Sequence, residues 1–252
     1  THSGNNMAMD NRTKAEGSLT VIMPAYNEET LIENAVREVQ EEIFKRLPQS
    51  RLIVIDDGSR DNTGVILDEL AKEDDRIMVV HQKNGGHGKA LITGIERAQS
   101  EFIFLIDSDQ QIPLTAFASL WEGMAGQDGV FGARVQRHDP AIRLLLTRFI
   151  RFFIRWCFGF TIHDANVPCK IIRKDIWEQA RSLIPSDTLA PSLFLAIFMR
   201  HSGMRVVEKT VPHKMRDSPP LGLRRQWSLF KLTCVGFLQL INLRNKLLNP
   251  IV

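Results

Sequence analysis

The first half of the chain alternates short apolar runs with longer amphipathic segments. The apolar runs have the length of buried strands and cover 19–23, 52–55, 77–80 and 102–106. The segments between them carry apolar residues at helical spacing and cover 29–44, 65–70 and 89–98. Because parallel strands are joined by crossovers that are usually helical, this alternation predicts βαβ units. We therefore expect an α/β fold with a mostly parallel sheet flanked by helices.

Polar motifs follow three of these four apolar runs directly. PAYNEE follows the first run, DDGSRDNT the second and DSDQQ the fourth. The carboxyl ends of parallel strands meet at one edge of a sheet, and open α/β folds bind their ligands there. The sequence therefore predicts a nucleotide-binding site at this edge.

Composition excludes several classes of protein. With 252 residues, 44% of them hydrophobic, the chain can bury a large core, and its net charge of +3 is too small to indicate a nucleic-acid partner. Its three cysteines are scattered, which argues against a disulfide framework or a zinc site and favours a reducing compartment. Neither His87 nor His163 has a partner at metal-binding spacing, so we assign no metal to histidine. Residues 1–18 are polar and patternless, and we interpret them as a disordered tail or a leftover of cloning.

The DSDQQ motif places Asp107 and Asp109 one residue apart, directly after the fourth apolar run. Two carboxylates this close repel each other unless a cation lies between them. An acidic turn that caps the next helix is the structural alternative. A haloacid dehalogenase-type phosphatase is the enzymatic alternative, but its motif lies on the first strand and has Thr or Val where Gln111 stands here. The motif therefore predicts a cation site.

The order and spacing of the three motifs resemble those of the family 2 glycosyltransferases of GT-A fold, over roughly residues 18–216. The resemblance implies a Rossmann-like GT-A domain at 19–216 that binds a nucleotide-sugar donor. Asp56 would hydrogen-bond the base with support from Asp57, and NGGHGKA at 84–90 would form the glycine-rich loop beside the donor. The nucleotide-binding residues that the resemblance implies are Pro24, Ala25, Tyr26, Glu28, Asp56, Asp57, Lys89, Asp107 and Ser108.

DSDQQ itself resembles the DxD signature of the polyprenyl-phosphate subgroup of this family, in which an acidic-x-acidic-x-Gln run faces a divalent ion. The resemblance implies that Asp107, Asp109 and Gln111 bind this ion. Hard oxygen ligands suit Mg²⁺ or Mn²⁺, and the donor diphosphate would complete the coordination. The ion would neutralise the charge that develops on the departing nucleoside diphosphate.

Motifs in the second half resemble those of dolichyl-phosphate mannose synthase-like enzymes. FGARVQ, IRLLLT and PHKMRDSPP match arginine-bearing segments of those enzymes. TIHDANVPCKIIRKD matches a segment with an aspartate at the rim of the active site and a lysine, here Lys170, nearby. Guanidinium groups suit a lipid phosphate. The resemblance implies the acceptor-phosphate ligands Arg134, Arg143, Thr147 and Arg216, and the catalytic residues Asp109, Asp164, Arg134, Arg143 and Arg216.

A phosphate monoester is already an anion near neutral pH, so it needs positioning more than a general base. The resemblance implies inverting, metal-dependent transfer of a hexose from a GDP- or UDP-sugar to a polyprenyl (dolichyl-like) phosphate. Two alternatives stay open: a soluble glycosyltransferase with a hydroxyl acceptor and Asp164 as base, and a catalytically silent GT-A module at a membrane. The chain departs from the family pattern at Val167, Pro168 and Cys169 and in QQIPL, which leaves the sugar undetermined.

Two apolar segments, at 141–160 and 224–248, carry several arginines. Each is either a core helix whose arginines reach solvent or an amphipathic helix in a membrane interface, and we favour the interface. No run of 18 uncharged apolar residues occurs, so no transmembrane helix is expected. We predict that 217–252 forms a C-terminal membrane-associated segment that could also support an oligomer. The protein is expected at the cytoplasmic face of a membrane, either peripherally or as a membrane protein truncated after its soluble domain.

Overall fold

The computed structural model describes residues 17–134, 141–162, 167, 169–188, 190–214 and 223–248, except for the side chains of 141–147 and 223–234. Within these residues the strands form one seven-stranded sheet, made of β1 (Leu19–Ala25), β2 (Arg51–Asp56), β3 (Ile77–His81), β4 (Phe102–Ile106), β5 (Gly129–Arg134), β6 (Cys169–Arg173) and β7 (Val206–Val211). The α-helices are α1 (Ile32–Val39), α2 (Thr63–Glu73), α3 (His87–Arg97), α4 (Phe117–Glu122), α5 (Ala141–Phe158), α6 (Lys174–Ala180), α7 (Pro191–His201) and α8 (Leu223–Leu248). A π-helical turn, Gln40–Phe44, extends α1, and a 3-10 turn, Leu114–Ala116, precedes α4.

The strand order in the sheet is β3-β2-β1-β4-β6-β5-β7. The first four strands in this order are mutually parallel, β6 is antiparallel to both of its neighbours, and β7 is parallel to β5. Because β6 is reversed between β4 and β5, those two strands run in the same direction. The predicted α/β fold with a mostly parallel sheet is therefore confirmed. The carboxyl ends of β1, β2, β4 and β5 meet at one edge, which we call the catalytic edge.

Helices cover both faces of the sheet. Val21 and Phe104 belong to one buried cluster, and Ile22 and Leu105 belong to the other. Successive residues alternate between the clusters because neighbouring side chains of a strand point to opposite faces. Strands that are buried on both faces have uninterrupted apolar sequences, which is why the apolar runs predicted them.

Several element boundaries differ from the sequence prediction. Helix α1 begins at Ile32 rather than near residue 29, because the residues before it belong to a loop that bonds to the loop after β2. Helices α4 and α6, with 6 and 7 residues, were not predicted, since so few residues show little helical periodicity. Strand β1 extends to Ala25, two residues beyond the apolar run 19–23.

Helices α5 and α8 lie where the two arginine-bearing segments were predicted to be helical, and they pack against each other. The Phe237 ring of α8 lies 5.2 Å from Phe149 and 4.8 Å from Phe153 of α5, measured between centroids. Leu240 and Leu243 of α8 are buried in the second cluster, so the C-terminal helix packs against the sheet domain. Among the described residues, no helix combines the length and the apolar character that crossing a bilayer requires.

Candidate active site

A pocket lies at the catalytic edge, where β4 and β5 end. The residues that line it come from the end of β4 and the following turn, from the last residue of β5 and from the segment after β7; they are Ile106, Asp107, Asp109, Gln111, Ile112, Arg134 and His213. The structure thus brings together the three predicted metal ligands and one predicted acceptor arginine. These residues are up to about a hundred positions apart in sequence, and the shared direction of the strands places them side by side.

The turn after β4 is held by its own hydrogen bonds. The Gln111 backbone N–H donates to Asp109 Oδ1 at 3.1 Å, and Gln110 between them has a left-handed φ of 54°. The Gln111 carbonyl accepts a hydrogen bond from the Lys214 N–H at 2.8 Å, and Gln111 Oε1 lies 3.2 Å from His213 Nε2. Gln111 therefore connects the predicted metal-binding turn to the segment that leads from β7 towards Arg216.

His87 contacts the acidic motif directly. Its Nε2 lies 2.8 Å from Asp107 Oδ1, across 20 positions of sequence. Burial alone would lower the pKa of His87, but the negative charges of Asp107 and Asp109 outweigh it, so the pKa lies above its ordinary value. Sequence reasoning missed this contact, because no short spacing joins the two residues. The sequence feature that could have indicated this contact is the position of His87 at the start of α3, within the glycine-rich motif.

The oxygen atoms in the pocket fit a hard divalent cation. Asp107, Asp109 and Gln111 offer carboxylate and amide oxygens, which are the ligand type that Mg²⁺ and Mn²⁺ prefer. In the described part of the chain, no group of three or more His, Cys, Asp or Glu side chains forms a complete metal site. Two carboxylates and an amide suit an ion that takes its remaining ligands from a diphosphate and water.

Asp57 holds the glycine-rich loop in place at the end of β2. Its Oδ1 accepts hydrogen bonds from Gln82 Nε2 at 2.7 Å and Gly85 N at 2.8 Å, and its Oδ2 accepts one from Gly86 N at 2.8 Å. Gly58 next to it has φ of 72°, and a Cβ there would lie 2.8 Å from the Asn84 backbone N. This aspartate therefore supports the loop through both of its oxygens.

Asp56, the residue predicted to bind the base, is buried between a backbone donor and a histidine. Its Oδ1 accepts a hydrogen bond from Ser59 N at 2.9 Å, and its Oδ2 lies 2.8 Å from His81 Nδ1. Burial raises the pKa of Asp56, but the hydrogen bonds from Ser59 and His81 outweigh it and hold the pKa below its usual value. The other ring nitrogen of His81 lies 3.0 Å from Asp68 Oδ1, and hydrogen bonds to the two aspartates raise the pKa of His81.

The PAYNEE loop is tied to the loop after β2. Asn27 has a left-handed φ of 53°, its backbone N donates to Ser59 Oγ at 3.0 Å, and its Oδ1 accepts from Arg60 N at 2.8 Å. The Glu28 backbone N donates to Thr63 Oγ1 at 2.8 Å. These bonds hold together the two loops predicted to contact the nucleoside. The remaining predicted nucleotide ligands include the buried Pro24, Ala25 and Ser108 and the exposed Tyr26 and Lys89.

Lys170 lies in the interior rather than at the surface of the pocket. It is fully buried, and its Nζ donates to the Val167 carbonyl at 2.6 Å and to Ser192 Oγ at 2.7 Å. It also lies 5.3 Å from the centroid of the Phe131 ring. Burial raises the pKa of the neighbouring Cys169 thiol to about 12. This lysine therefore connects β6 to Val167 and to the start of α7.

Part of the predicted acceptor site lies outside the described residues. Arg143 and Thr147 are on α5, but their side chains are not described, and Asp164 and Arg216 fall outside the described ranges altogether. Arg134 is thus the one predicted phosphate ligand whose side chain the structure describes, and it lines the pocket with the carboxylates.

The sheet order and the acidic pocket at the carboxyl ends of the strands define a GT-A glycosyltransferase fold. The family described as Glycosyl transferase family 2 matches residues 20–181. The chain belongs to this family, as its three motifs predicted.

Curated relatives from two bacterial genera carry the same name. The chain is 27% identical over 187 residues to the undecaprenyl-phosphate 4-deoxy-4-formamido-L-arabinose transferase of Pseudomonas aeruginosa (strain LESB58), covering 73% of this chain and 55% of the relative. It is 25% identical over 233 residues to the protein of that name in Shewanella sediminis, covering 91% of this chain and 65% of the relative. The chain therefore spans between half and two thirds of the length of these relatives.

Solved structures share the fold at low sequence identity. Glucosyl-3-phosphoglycerate synthase from Mycobacterium tuberculosis, in complex with UDP, has a TM-score of 0.66 at 18% identity and covers 97% of this chain and 86% of its own. A mannosyltransferase from Pyrobaculum calidifontis, in complex with GDP-Man and Mn²⁺, has a TM-score of 0.61 at 17% identity and covers 93% and 71% respectively.

Proposed function

We propose that this protein transfers a hexose from a nucleotide sugar to a polyprenyl phosphate, with inversion at the anomeric carbon and with Mg²⁺ or Mn²⁺ bound at the DSD motif. The observation that supports this best is the pocket in which Asp107 and Asp109 lie beside Arg134. The carboxylates would hold the cation that binds the donor diphosphate, and the arginine would bind the anionic acceptor. Transfer requires these two substrates to lie next to each other. The names of the curated relatives, which specify undecaprenyl phosphate, favour the same class of acceptor.

The donor nucleoside would lie on the joined loops after β1 and β2. Asp56 is held ionised, and an ionised carboxylate only accepts hydrogen bonds, so it suits a base that presents an N–H. Uracil and guanine both do, in agreement with a UDP- or GDP-sugar. Tyr26 and Glu28 would complete the nucleoside pocket, and Lys89 and Ser108 would complete the nucleotide-binding set.

The acceptor phosphate would bind at the end of β5. Arg134 offers a planar fork of N–H donors that matches phosphate oxygens. Arg143, Thr147 and Arg216 are proposed to bind the same phosphate on the evidence of their motifs. Asp164 is proposed to orient the donor sugar at the rim, since an anionic acceptor has no proton for it to remove.

The chemistry follows from this arrangement. A phosphate oxygen of the acceptor attacks the anomeric carbon while the bond from that carbon to the donor diphosphate breaks, and the departing nucleoside diphosphate keeps the electron pair. Attack from the opposite side inverts the configuration. A divalent ion held by Asp107, Asp109 and Gln111 would neutralise negative charge on the leaving diphosphate. Asp107, Asp109 and Arg134 contribute alignment of the two substrates, which is enough when the nucleophile is already ionised.

A polyprenyl phosphate resides in a membrane, so the catalytic edge must approach one. Large apolar side chains are exposed on α5 and α8, which pack against each other and against one face of the sheet: Phe149 at 53%, Phe152 at 67% and Trp156 at 72% on α5, and Leu238 at 67% on α8. We call these four side chains the α5/α8 surface. The three on α5 recur at helical spacing, and Arg148 and Arg155 beside them are also exposed. We propose that this surface lies in the membrane interface, with the arginines at lipid headgroups.

Substitution of Arg134 tests the acceptor assignment. Purified protein is incubated with vesicles that contain undecaprenyl phosphate, with radiolabelled nucleotide sugars and with Mn²⁺, and labelled lipid is measured. Arg134→Gln is expected to reduce transfer by about 100-fold or more, as loss of a charge-stabilising donor typically does, while nucleotide binding is retained. Arg97→Gln, at an exposed position on α3, is the matched control and should transfer normally. Labelling of the lipid at the wild-type rate by Arg134→Gln would contradict the assignment, because the acceptor phosphate would then be bound without Arg134.

A further inference from the structure

Glu38 on α1 contacts the turn after β4, more than seventy positions along the chain. Its Oε1 accepts a hydrogen bond from the Leu114 backbone N–H at 2.7 Å, and its Oε2 accepts one from Gln110 Nε2 at 3.3 Å. The side chain is half-buried and is not among the residues that line the pocket. One carboxylate therefore holds both ends of the segment 110–114.

This segment has a conformation that needs support. Gln110 has φ of 54°, in the left-handed region that residues with a side chain adopt at a cost in free energy. It stands between Asp109 and Gln111, and its conformation brings the Gln111 N–H to Asp109 Oδ1 while both residues line the pocket. A right-handed conformation at Gln110 would redirect the chain after Asp109 and separate these two side chains.

We propose that Glu38 is a positioning residue for the metal-binding turn, because its bonds to Gln110 and Leu114 keep Asp109 and Gln111 preorganised for a divalent cation. This inference rests on the proposed function, since it takes Asp109 and Gln111 as metal ligands. It gives α1 a role at the metal site without any contact between Glu38 and the ion or the donor. Groups that orient metal ligands in this way typically change metal affinity by about 10–100-fold when they are removed.

Direct measurement of Mn²⁺ binding tests the inference independently of turnover. Bound and free Mn²⁺ are quantified by electron paramagnetic resonance in the presence of UDP or GDP. Glu38→Ala is expected to weaken Mn²⁺ binding by about tenfold or more. Glu38→Gln keeps one carbonyl oxygen for Leu114 N and should weaken it less. Glu33→Ala is the matched control, because Glu33 lies on the same helix and pairs with Arg37 instead, and it should bind Mn²⁺ as the wild type does.

A second substitution separates positioning from a general loss of stability. Glycine adopts positive φ without steric cost, so Gln110→Gly introduced into the Glu38→Ala variant should recover Mn²⁺ affinity. Equal affinity of Glu38→Ala and the wild type would overturn the inference, as would a double variant that binds no more tightly than Glu38→Ala. A wild type that binds no Mn²⁺ would overturn the proposed metal site and this inference with it, so the two failures give different results.

Discussion

The aspartates at the catalytic edge have different partners, and these partners separate their roles. Asp57 uses both oxygens to hold the glycine-rich loop, whereas Asp56 keeps lone pairs beside its bonds to Ser59 and His81. Asp107 lies against His87 and opens into the pocket. The sequence motif shows only that acidic residues follow the strands. The hydrogen bonds thus distinguish Asp57, whose two oxygens both hold the glycine-rich loop, from Asp56 and Asp107.

His81 connects Asp56 to Asp68 and makes the end of β2 sensitive to pH. Protonated imidazole donates from both nitrogens and so satisfies both carboxylates, while neutral imidazole can donate to one alone. Because the aspartates raise the pKa of His81, the stabilisation from this link is complete below the unfolded-state pKa of about 6.5 and is lost as pH rises through the higher folded-state pKa. Asp56, with its lowered pKa, stays ionised throughout this range.

We therefore predict that His81→Gln destabilises the protein more at pH 6 than at pH 8.5. Urea unfolding of the wild type and the variant at several pH values measures the difference in free energy of unfolding. Because the His81 side chain is 48% exposed, the effect is expected to be modest. A difference that stays constant between pH 6 and pH 8.5 would contradict the protonated link.

At the scale of secondary-structure elements, the sequence predicted those strands whose burial requires a run of apolar residues. The strands β1, β2 and β4 are buried almost throughout, β3 at the end of the strand order is buried only in part, and the apolar runs located each of the four to within two residues. The glycine-rich loop and the DSD turn were located because fixed residue types mark them. The contacts of His87 with Asp107 and of Glu38 with Gln110 could not be predicted, because each joins two loops or helices whose proximity depends on the packing of the whole sheet.

The prediction at the scale of elements concerns the binding of α5 and α8 to a membrane. Each has a buried side, shown by Ile154 and Leu243, and each also exposes large apolar groups of the α5/α8 surface. Burial of a large apolar side chain contributes roughly 1.5–3 kcal/mol, so the double variant Phe152→Ser, Trp156→Ser should lower affinity for vesicles by about tenfold or more. Co-sedimentation with phosphatidylglycerol vesicles measures this affinity.

Val65→Ser provides the control for vesicle binding, since Val65 is 59% exposed but lies on α2. It should bind vesicles as the wild type does. High salt should weaken binding without abolishing it, because the arginines contribute electrostatically and the aromatic groups do not. If the double variant co-sediments like the wild type, the α5/α8 surface does not lie in the membrane interface.

At the scale of the whole molecule, the reversed strand β6 decides where the proposed donor and acceptor sites meet. β6 begins at the catalytic edge, where Cys169 pairs with Ile106, and its reversal makes β5 parallel to β4. Arg134 at the end of β5 consequently lies beside the acidic turn at the end of β4. The apolar runs predicted the strands but not their order, since order depends on which surfaces pack together. The family resemblance, in contrast, predicted that Arg134 belongs to the same site as the acidic motif.

The final prediction concerns the donor, which should stabilise the whole fold because, at the proposed site, it would bridge loops from separate strands. A ligand that binds only the native state at about 100 times its Kd adds about 2.7 kcal/mol, which for a chain of this length raises Tm by roughly 5–10 °C. A thermal-shift screen of UDP- and GDP-sugars with Mn²⁺ should show this rise for donors of one base. EDTA or Asp109→Asn should remove most of it, whereas Asp75→Asn, at an exposed position before β3, should leave it intact. An equal rise in EDTA would show that the donor binds without the metal and that the DSD turn has another role.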